Sequence, residues 1–207
     1  MKDWTLKIFD DVLDDDDRIF LLDSFADDGM IGDVPFASHG LSIYWFANET
    51  NHPCKYLIDL LVSIATDYFD FSDYVGYEAW THMNTRPGQN IDGYLSGGEV
   101  DSDSNMNKQG GQSSSHDGWH YDKDELYFNR TGDMKFPICS LVYYPLVAKD
   151  LKGGRLVFED HKIIPKENRL VMFSPGEIHT VDGFKGKRCS LIINPWNTSH
   201  IPDTSRY

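Results

Sequence analysis

Two histidines and an aspartate, His120, Asp122 and His179, have the types and spacing to hold a metal ion. In an extended segment residues i and i+2 project to the same side, so His120 and Asp122 can reach one ion together while Tyr121 faces away. Asp117, directly after His116, has the wrong parity for the same task. His179 must come from a different strand: it follows Pro175-Gly176, where a turn ends and a new extended run begins. Two imidazoles and one carboxylate on one face of an ion leave its opposite face open. Such a set suits a non-haem Fe(II) centre and also a catalytic zinc.

Arg188 narrows the choice. It lies nine positions beyond His179 (179 to 188), across the turn Asp182-Gly-Phe-Lys-Gly186, and opens the apolar run Cys189-Ser-Leu-Ile-Ile193. A hydrolytic zinc site needs no arginine at that place. A co-substrate that chelates iron through a keto-acid end and carries a second carboxylate deeper in the site does need one. 2-Oxoglutarate is such a molecule, and a guanidinium can grip its distal carboxylate with two parallel hydrogen bonds. Ser190, Ile192 and Asn194 share the face of Arg188, and Ser190 could add a second donor. Lys187 has the wrong parity for this role, and Lys185 lies in the turn. The chain has eight histidines. Of the others, His82 in Trp80-Thr-His-Met-Asn84 could line a pocket but has no carboxylate two residues on. His116, His161 and His200 are read as structural or solvated.

These residues must be positioned by a scaffold, and the composition bounds it. The 207 residues, 40% hydrophobic and 14% aromatic, suffice for one domain with a proper core. A net charge of −14 disfavours sequence-independent binding to nucleic acid or to anionic membranes. Cys54, Cys139 and Cys189 form no CxxC pair and read as small buried hydrophobes in a reducing compartment. The start Met1-Lys-Asp-Trp4 has no apolar leader, and no run approaches a membrane span. A soluble, cytoplasmic protein is expected, with its oligomeric state open.

Residues 4–9 alternate as a short strand. The aspartates 14–17 suit the first turn of a helix near 18–26, with Ile19, Phe20, Leu22 and Phe25 as its apolar face and Gly29 as its stop. A second helix is predicted over 53–69, its stripe formed by Leu57, Leu60, Leu61 and Ile64 with Tyr56 and Tyr68 alongside. Beyond Ser72 short apolar runs alternate with Gly, Pro and Asn turns, at 77–84, 119–122, 138–144, 155–158, 169–173, 177–181 and 188–194. That pattern suggests a barrel or sandwich. Residues 95–118 are rich in Gly, Ser, Asp, Asn and Gln and read as a mobile loop ending just before His120, either a tolerated insertion or a lid over the substrate.

From Trp119 to Trp196 the chain resembles the Fe(II)/2-oxoglutarate-dependent oxygenases, in particular the prolyl 4-hydroxylase-like branch. The matching elements occur in order: Trp119-His-Tyr-Asp122, Ser140-Leu-Val-Tyr-Tyr144, Gly153-Gly-Arg-Leu-Val-Phe158, Asn168-Arg-Leu-Val-Met-Phe173, His179-Thr-Val181 and Gly186-Lys-Arg-Cys-Ser190. The segment Lys7-Ile-Phe-Asp-Asp-Val-Leu13 is similar to the opening of that branch. The Pro-Gly segment that relatives often place shortly before the HxD motif lies much earlier here, at Arg86-Pro-Gly88, so Trp80, His82 and Asn84 are not anchored by the resemblance.

The resemblance implies a mainly β fold, a double-stranded β-helix (jelly-roll, cupin-like) barrel with flanking N-terminal α-helices. It implies one dioxygenase domain over 1–207, with a helical flank and support strand at 1–75 and the jelly-roll core at 76–198. His120, Asp122 and His179 would bind Fe(II). Arg188 would bind 2-oxoglutarate, helped by Tyr144 and Ser190, with O₂ as the second co-substrate. The implied reaction is hydroxylation of a prolyl or similar residue in a protein or peptide, with release of succinate and CO₂. Hydroxylation of a free amino acid or small metabolite is the second reading. A non-catalytic jelly-roll binding module is the third.

Overall fold

The computed structural model describes residues 4–27, 44–47, 49–84, 118–198 and 200. In chain order its elements are β1 (Leu6–Asp10), α1 (Asp15–Asp27), β2 (Tyr44–Ala47), α2 (Lys55–Ala65), β3 (Tyr74–Asn84), α3 (Glu125–Thr131), β4 (Ser140–Val147), β5 (Lys152–Gly153), β6 (Leu156–Val157), β7 (Lys162–Ile163), β8 (Arg169–Phe173), β9 (Thr180–Val181), β10 (Phe184–Lys185) and β11 (Arg188–Asn197). The fold is mainly antiparallel β with three helices among the described residues. Six strands form the large sheet in the order β1-β8-β4-β11-β3-β2; β7-β6-β9 form a smaller sheet, and β5 pairs with β10. The non-sequential neighbours are those of a jelly roll, in which distant strands close the two sheets over one another.

Strand parity divides the large sheet into two faces. Leu191 and Ile193 of β11 stand opposite Tyr143 and Leu141 of β4, and Ile193 also opposes Ala79 of β3. With Leu170 and Met172 of β8 they share one core with Leu57, Ile58, Leu61, Val62 and Ala65 of α2. The opposite face carries Val142, Tyr144, Val171 and Phe173, packed on Leu156, Phe158 and Ile163 of the smaller sheet's segment. Arg188, Ser190, Ile192 and Asn194 belong to this second face by parity along β11.

The helices differ in detail from the sequence expectation. In α1, Leu21 is fully buried and Ser24 nearly so, whereas Ile19 and Phe20 are largely exposed. Apolar residues run around this helix, so its rotation is set by tertiary contacts. Arg18 Nη1 donates to the Pro145 carbonyl on β4 at 2.9 Å, which turns the Arg18–Leu21 side inward. In α2, Leu57 and Leu61 are buried as expected, but Ile58 and Val62 join them while Tyr56 and Leu60 face out. Gly29 and the Phe25 side chain lie outside the described residues. So does the polar segment 95–118 apart from Gly118.

Two features had no clear sequence signal, and one expected strand is not formed. β2 extends the sheet beyond β3. α3 begins where the Asp124 carboxylate accepts the Tyr127 N–H at 2.8 Å, an N-cap, and ends at Gly132 with φ 80°. Residues 119–122, expected as a strand, contain only an isolated bridge between His120 and His179.

Candidate metal centre and anion anchor

The bridge brings His120 and His179 together. The His120 N–H donates to the His179 carbonyl at 2.9 Å and the His179 N–H returns a bond to His120 at 3.0 Å. Their ring centroids are 4.5 Å apart. His179 comes from the approach to β9, whose Thr180 and Val181 pair with β6, so the smaller sheet holds it in place. Phe158 and Phe173 pack their rings against His179.

Each imidazole is oriented by the backbone two residues upstream. His120 Nδ1 lies 3.1 Å from the Gly118 carbonyl, and His179 Nδ1 lies 2.9 Å from the Glu177 carbonyl. A carbonyl oxygen only accepts, so each Nδ1 carries the proton and each Nε2 presents a lone pair. That is the tautomer a metal-ligating histidine needs. Burial pushes the His179 pKa down, partly opposed by the Asp122 charge, which keeps the ring neutral and able to ligate.

Asp122 completes the set. One ligand atom from each of His120, Asp122 and His179 lies within 4.8 Å of the others, and His179 Nε2 is 3.7 Å from Asp122 Oδ2. That oxygen is buried and has no hydrogen-bond partner. Leaving a buried carboxylate oxygen unsatisfied costs free energy, and a divalent cation between the three groups would relieve it. Two imidazoles and one carboxylate therefore fit a metal, and their mixed N/O donor set suits Fe(II).

Arg188 is almost completely buried. Its Nη1 donates to the Gly154 carbonyl at 2.5 Å, while its Nε, also buried, has no partner. The Phe184 and Tyr144 rings lie 4.7 and 5.7 Å from the guanidinium carbon. Burial pushes its pKa below the ordinary arginine value, and no carboxylate lies within ion-pair distance of it among the described residues. A buried cation of this kind calls for an anion beyond the described residues.

The Gly153-Gly154 turn makes room for this arrangement. Gly153 has φ 79°, and a Cβ there would stand 2.1 Å from the Gly183 oxygen. At Gly154 (φ 72°) a Cβ would press on Phe184 and on Arg188 Nη1. Arg155 tightens the same corner through Asp182, donating from its backbone N–H and its Nε at 2.6 Å each.

The other expected residues fall as follows. Tyr144 is buried beside Arg188, and burial raises its phenol pKa. Tyr143 points to the opposite face, where its hydroxyl donates to Asn168 Oδ1 at 2.9 Å. Ser190 is buried on the Arg188 side of β11. Lys185 and Lys187 are exposed. His200 binds the Asp124 carboxylate at 2.9 Å and stays apart from the metal set. His161 packs its ring on Trp4 at 4.5 Å. The carbonyls of Gly118, Glu177 and Gly154 were not foreseen: every residue has a carbonyl, so residue type gives no signal for them.

Solved structures share this fold. A viral collagen prolyl hydroxylase from Paramecium bursaria Chlorella virus-1, in complex with 2-oxoglutarate, superposes with a TM-score of 0.52 at 14% identity, covering 92% of this chain and 94% of its own. A Pseudomonas putida prolyl-4-hydroxylase gives 0.54 at 17% identity, with 94% and 92% covered. A Trichoplax adhaerens prolyl hydroxylase in complex with a hypoxia-inducible-factor peptide fragment gives 0.53 at 14% identity, with 94% and 84% covered. No protein-family model matches the chain, and no curated protein matches it in sequence. The fold is thus that of prolyl 4-hydroxylase-like oxygenases, shared at low sequence identity.

Proposed function

We propose that this protein is an Fe(II)- and 2-oxoglutarate-dependent dioxygenase that hydroxylates a prolyl or similar residue of a protein or peptide. One observation carries the reading: a His-Asp-His set occurs in the same fold as a buried arginine that has no counter-ion among the described residues. A metal-binding module has no use for the arginine, and a simple anion site has no use for the triad.

In this reading His120, Asp122 and His179 would hold the iron. The metal supplies O₂ activation coupled to oxidative decarboxylation of 2-oxoglutarate to succinate and CO₂. Arg188 binds the distal carboxylate through its unpartnered Nε and its remaining N–H groups. Tyr144 and Ser190, buried near or beside that guanidinium, add hydroxyl donors. The aromatic wall of Phe158, Phe173, Phe184 and Tyr144 keeps water away and so strengthens each of these polar contacts.

The peptide preference draws support from the neighbours, one of which is solved with a peptide fragment and another of which is a collagen prolyl hydroxylase. The cysteines Cys54, Cys139 and Cys189 are buried and not joined in disulfides, which suits a reducing compartment and supports a cytoplasmic placement. Among the described residues no helix is long and apolar enough to cross a membrane.

The test is succinate release with Fe(II), ascorbate and 2-oxoglutarate over a panel of prolyl peptides and free amino acids, with mass spectrometry of the products. Stoichiometric succinate with one oxygen atom gained by a peptide is expected. Oxygen gain on a free amino acid alone would move the substrate class. No succinate above the His179→Ala background with any member would remove the dioxygenase reading.

A further inference from the structure

Asp122 lies between two fixed points of the backbone. On one side is the bridge between His120 and His179. On the other is Asp124, the N-cap of α3. Residues 121–124 belong to no helix or strand, and Asp122 Oδ2 has no hydrogen-bond partner. The direction of that carboxylate therefore depends on where its two flanks are held. Asp124 is held at its backbone and at both carboxylate oxygens. Its N–H donates to the Lys135 carbonyl at 3.0 Å, its Oδ1 accepts the Tyr127 N–H at 2.8 Å, and its Oδ2 accepts from His200 Nε2 at 2.9 Å. His200 is delivered by β11. Past the strand the Thr198 N–H donates to the Asp73 carbonyl at 2.9 Å and the His200 N–H to the Asn197 carbonyl at 3.2 Å, which turns the chain there. The imidazole then lies against two rings, Tyr127 at 4.8 Å and Trp196 at 5.5 Å between centroids. The bond is shielded from water: the His200 side chain is 14% exposed and that of Asp124 3%.

We propose that His200 is a positioning residue for the metal set: its bond to Asp124 fixes the backbone from which Asp122 projects. The inference rests on the metal reading under Proposed function. A buried carboxylate that loses a hydrogen-bond partner pays for its desolvation until it turns to find another, and Asp124 cannot turn without moving the residues just before it. Outer partners that orient a metal's ligands are worth about tenfold to a hundredfold in metal affinity. His200 acts one step further back, through two residues of backbone, so the lower figure applies. β11 thereby serves both halves of the site, with Arg188 at its start and His200 just past its end.

The experiment measures anaerobic Fe(II) binding to the metal-free full chain, by competition with a chromogenic Fe(II) chelator, beside the melting temperature of the same metal-free protein. His200→Phe keeps a ring against Tyr127 and Trp196 but offers no polar atom to Asp124. It is expected to raise the Fe(II) Kd about tenfold. His200→Gln, which keeps a donor, should recover part of that loss. A merely structural His200–Asp124 pair would instead lower the melting temperature and leave the Kd in place. A Kd for His200→Phe within about twofold of wild type overturns the inference; should that variant not fold, the same result in His200→Ala does so. Saturable Fe(II) binding by the wild type with unchanged variants removes only the role of His200, whereas no Fe(II) binding by the wild type removes the proposed function and this role together.

Discussion

The two faces of the large sheet are built on opposite principles. On the helix face, among the described residues, the large buried side chains share one apolar core and no buried side-chain polar atom is left without a partner. Asn168 shows this best. Its Oδ1 accepts from the Leu13 N–H at 3.0 Å and from the Tyr143 hydroxyl at 2.9 Å, and its Nδ2 donates to the Leu13 carbonyl at 2.6 Å. On the site face buried polar atoms are left open: Asp122 Oδ2, Arg188 Nε and Asn194 Oδ1 have no partner. One face is arranged for stability. The other keeps unsatisfied groups that a metal and an anion would complete, and its cost in free energy is carried by the first.

The contrast is sharpest when equally buried residues of the two faces are exchanged. Leu141 and Arg188 are both almost fully buried on adjacent strands. Leu141→Ala should lower unfolding free energy by about 2–5 kcal/mol through lost burial and the cavity left behind, read from the urea midpoint. Arg188→Met should leave stability unchanged or raise it, because a buried charge with no counter-ion among the described residues is removed, while 2-oxoglutarate turnover falls to background. If Arg188→Met destabilised as much as Leu141→Ala, the guanidinium would be a structural group and the division of faces would fail.

Asn168→Ala comes next. It deletes three hydrogen bonds and places alanine at φ 59°, where asparagine is better tolerated. A loss of about 3 kcal/mol is expected in chemical denaturation, with kcat and the KM for 2-oxoglutarate little changed. The neighbouring tyrosines divide the same way. Tyr143→Phe should cost about 1 kcal/mol of stability and leave the KM alone. Tyr144→Phe should leave stability alone and raise the KM for 2-oxoglutarate about three- to tenfold. Reversed outcomes for the two would mean that their faces had been exchanged.

The smallest expected effect lies at the sheet edge. The Asp10 carboxylate takes two bonds from Arg169, at 2.6 and 3.0 Å, and one ion pair from Lys166 at 3.1 Å. The Arg169 bond, assisted by Lys166 and opposed by slight burial, lowers its pKa from the ordinary aspartate value to about 2. A depressed pKa means stability that is present above about pH 4 and is lost as pH falls toward 2. The group is exposed, so the contribution should be no more than about 1 kcal/mol. Asp10→Asn should flatten that part of a stability–pH curve and leave it unchanged near neutrality.

Much of this division was legible in the chain. The strands after Ser72 announced themselves by short apolar runs between turn residues, and β8 agrees with its expected span end to end. Parity placed Asp122 rather than Asp117 with His120. The family resemblance, not parity, pointed to Tyr144 as the helper of Arg188. The rotation of α1 was not legible, because Ile19, Phe20, Leu21 and Leu22 offer several equivalent apolar faces and a contact from Arg18 to β4 decides among them. Nor was the orientation of the two histidines, which depends on backbone carbonyls. The His200–Asp124 bond was hidden for another reason: the two lie 76 positions apart, and the side-chain types alone do not say that they meet.

The central claim is that one face of this sheet holds iron and a dicarboxylate together, and the visible charge-transfer band tests it most directly. Anaerobic addition of Fe(II) and 2-oxoglutarate to the wild-type protein should produce a weak band that saturates with the co-substrate. His179→Ala should abolish it, and Arg188→Ala should demand far more 2-oxoglutarate to reach it. No band in the wild type, or a band unchanged in both variants, would contradict the claim.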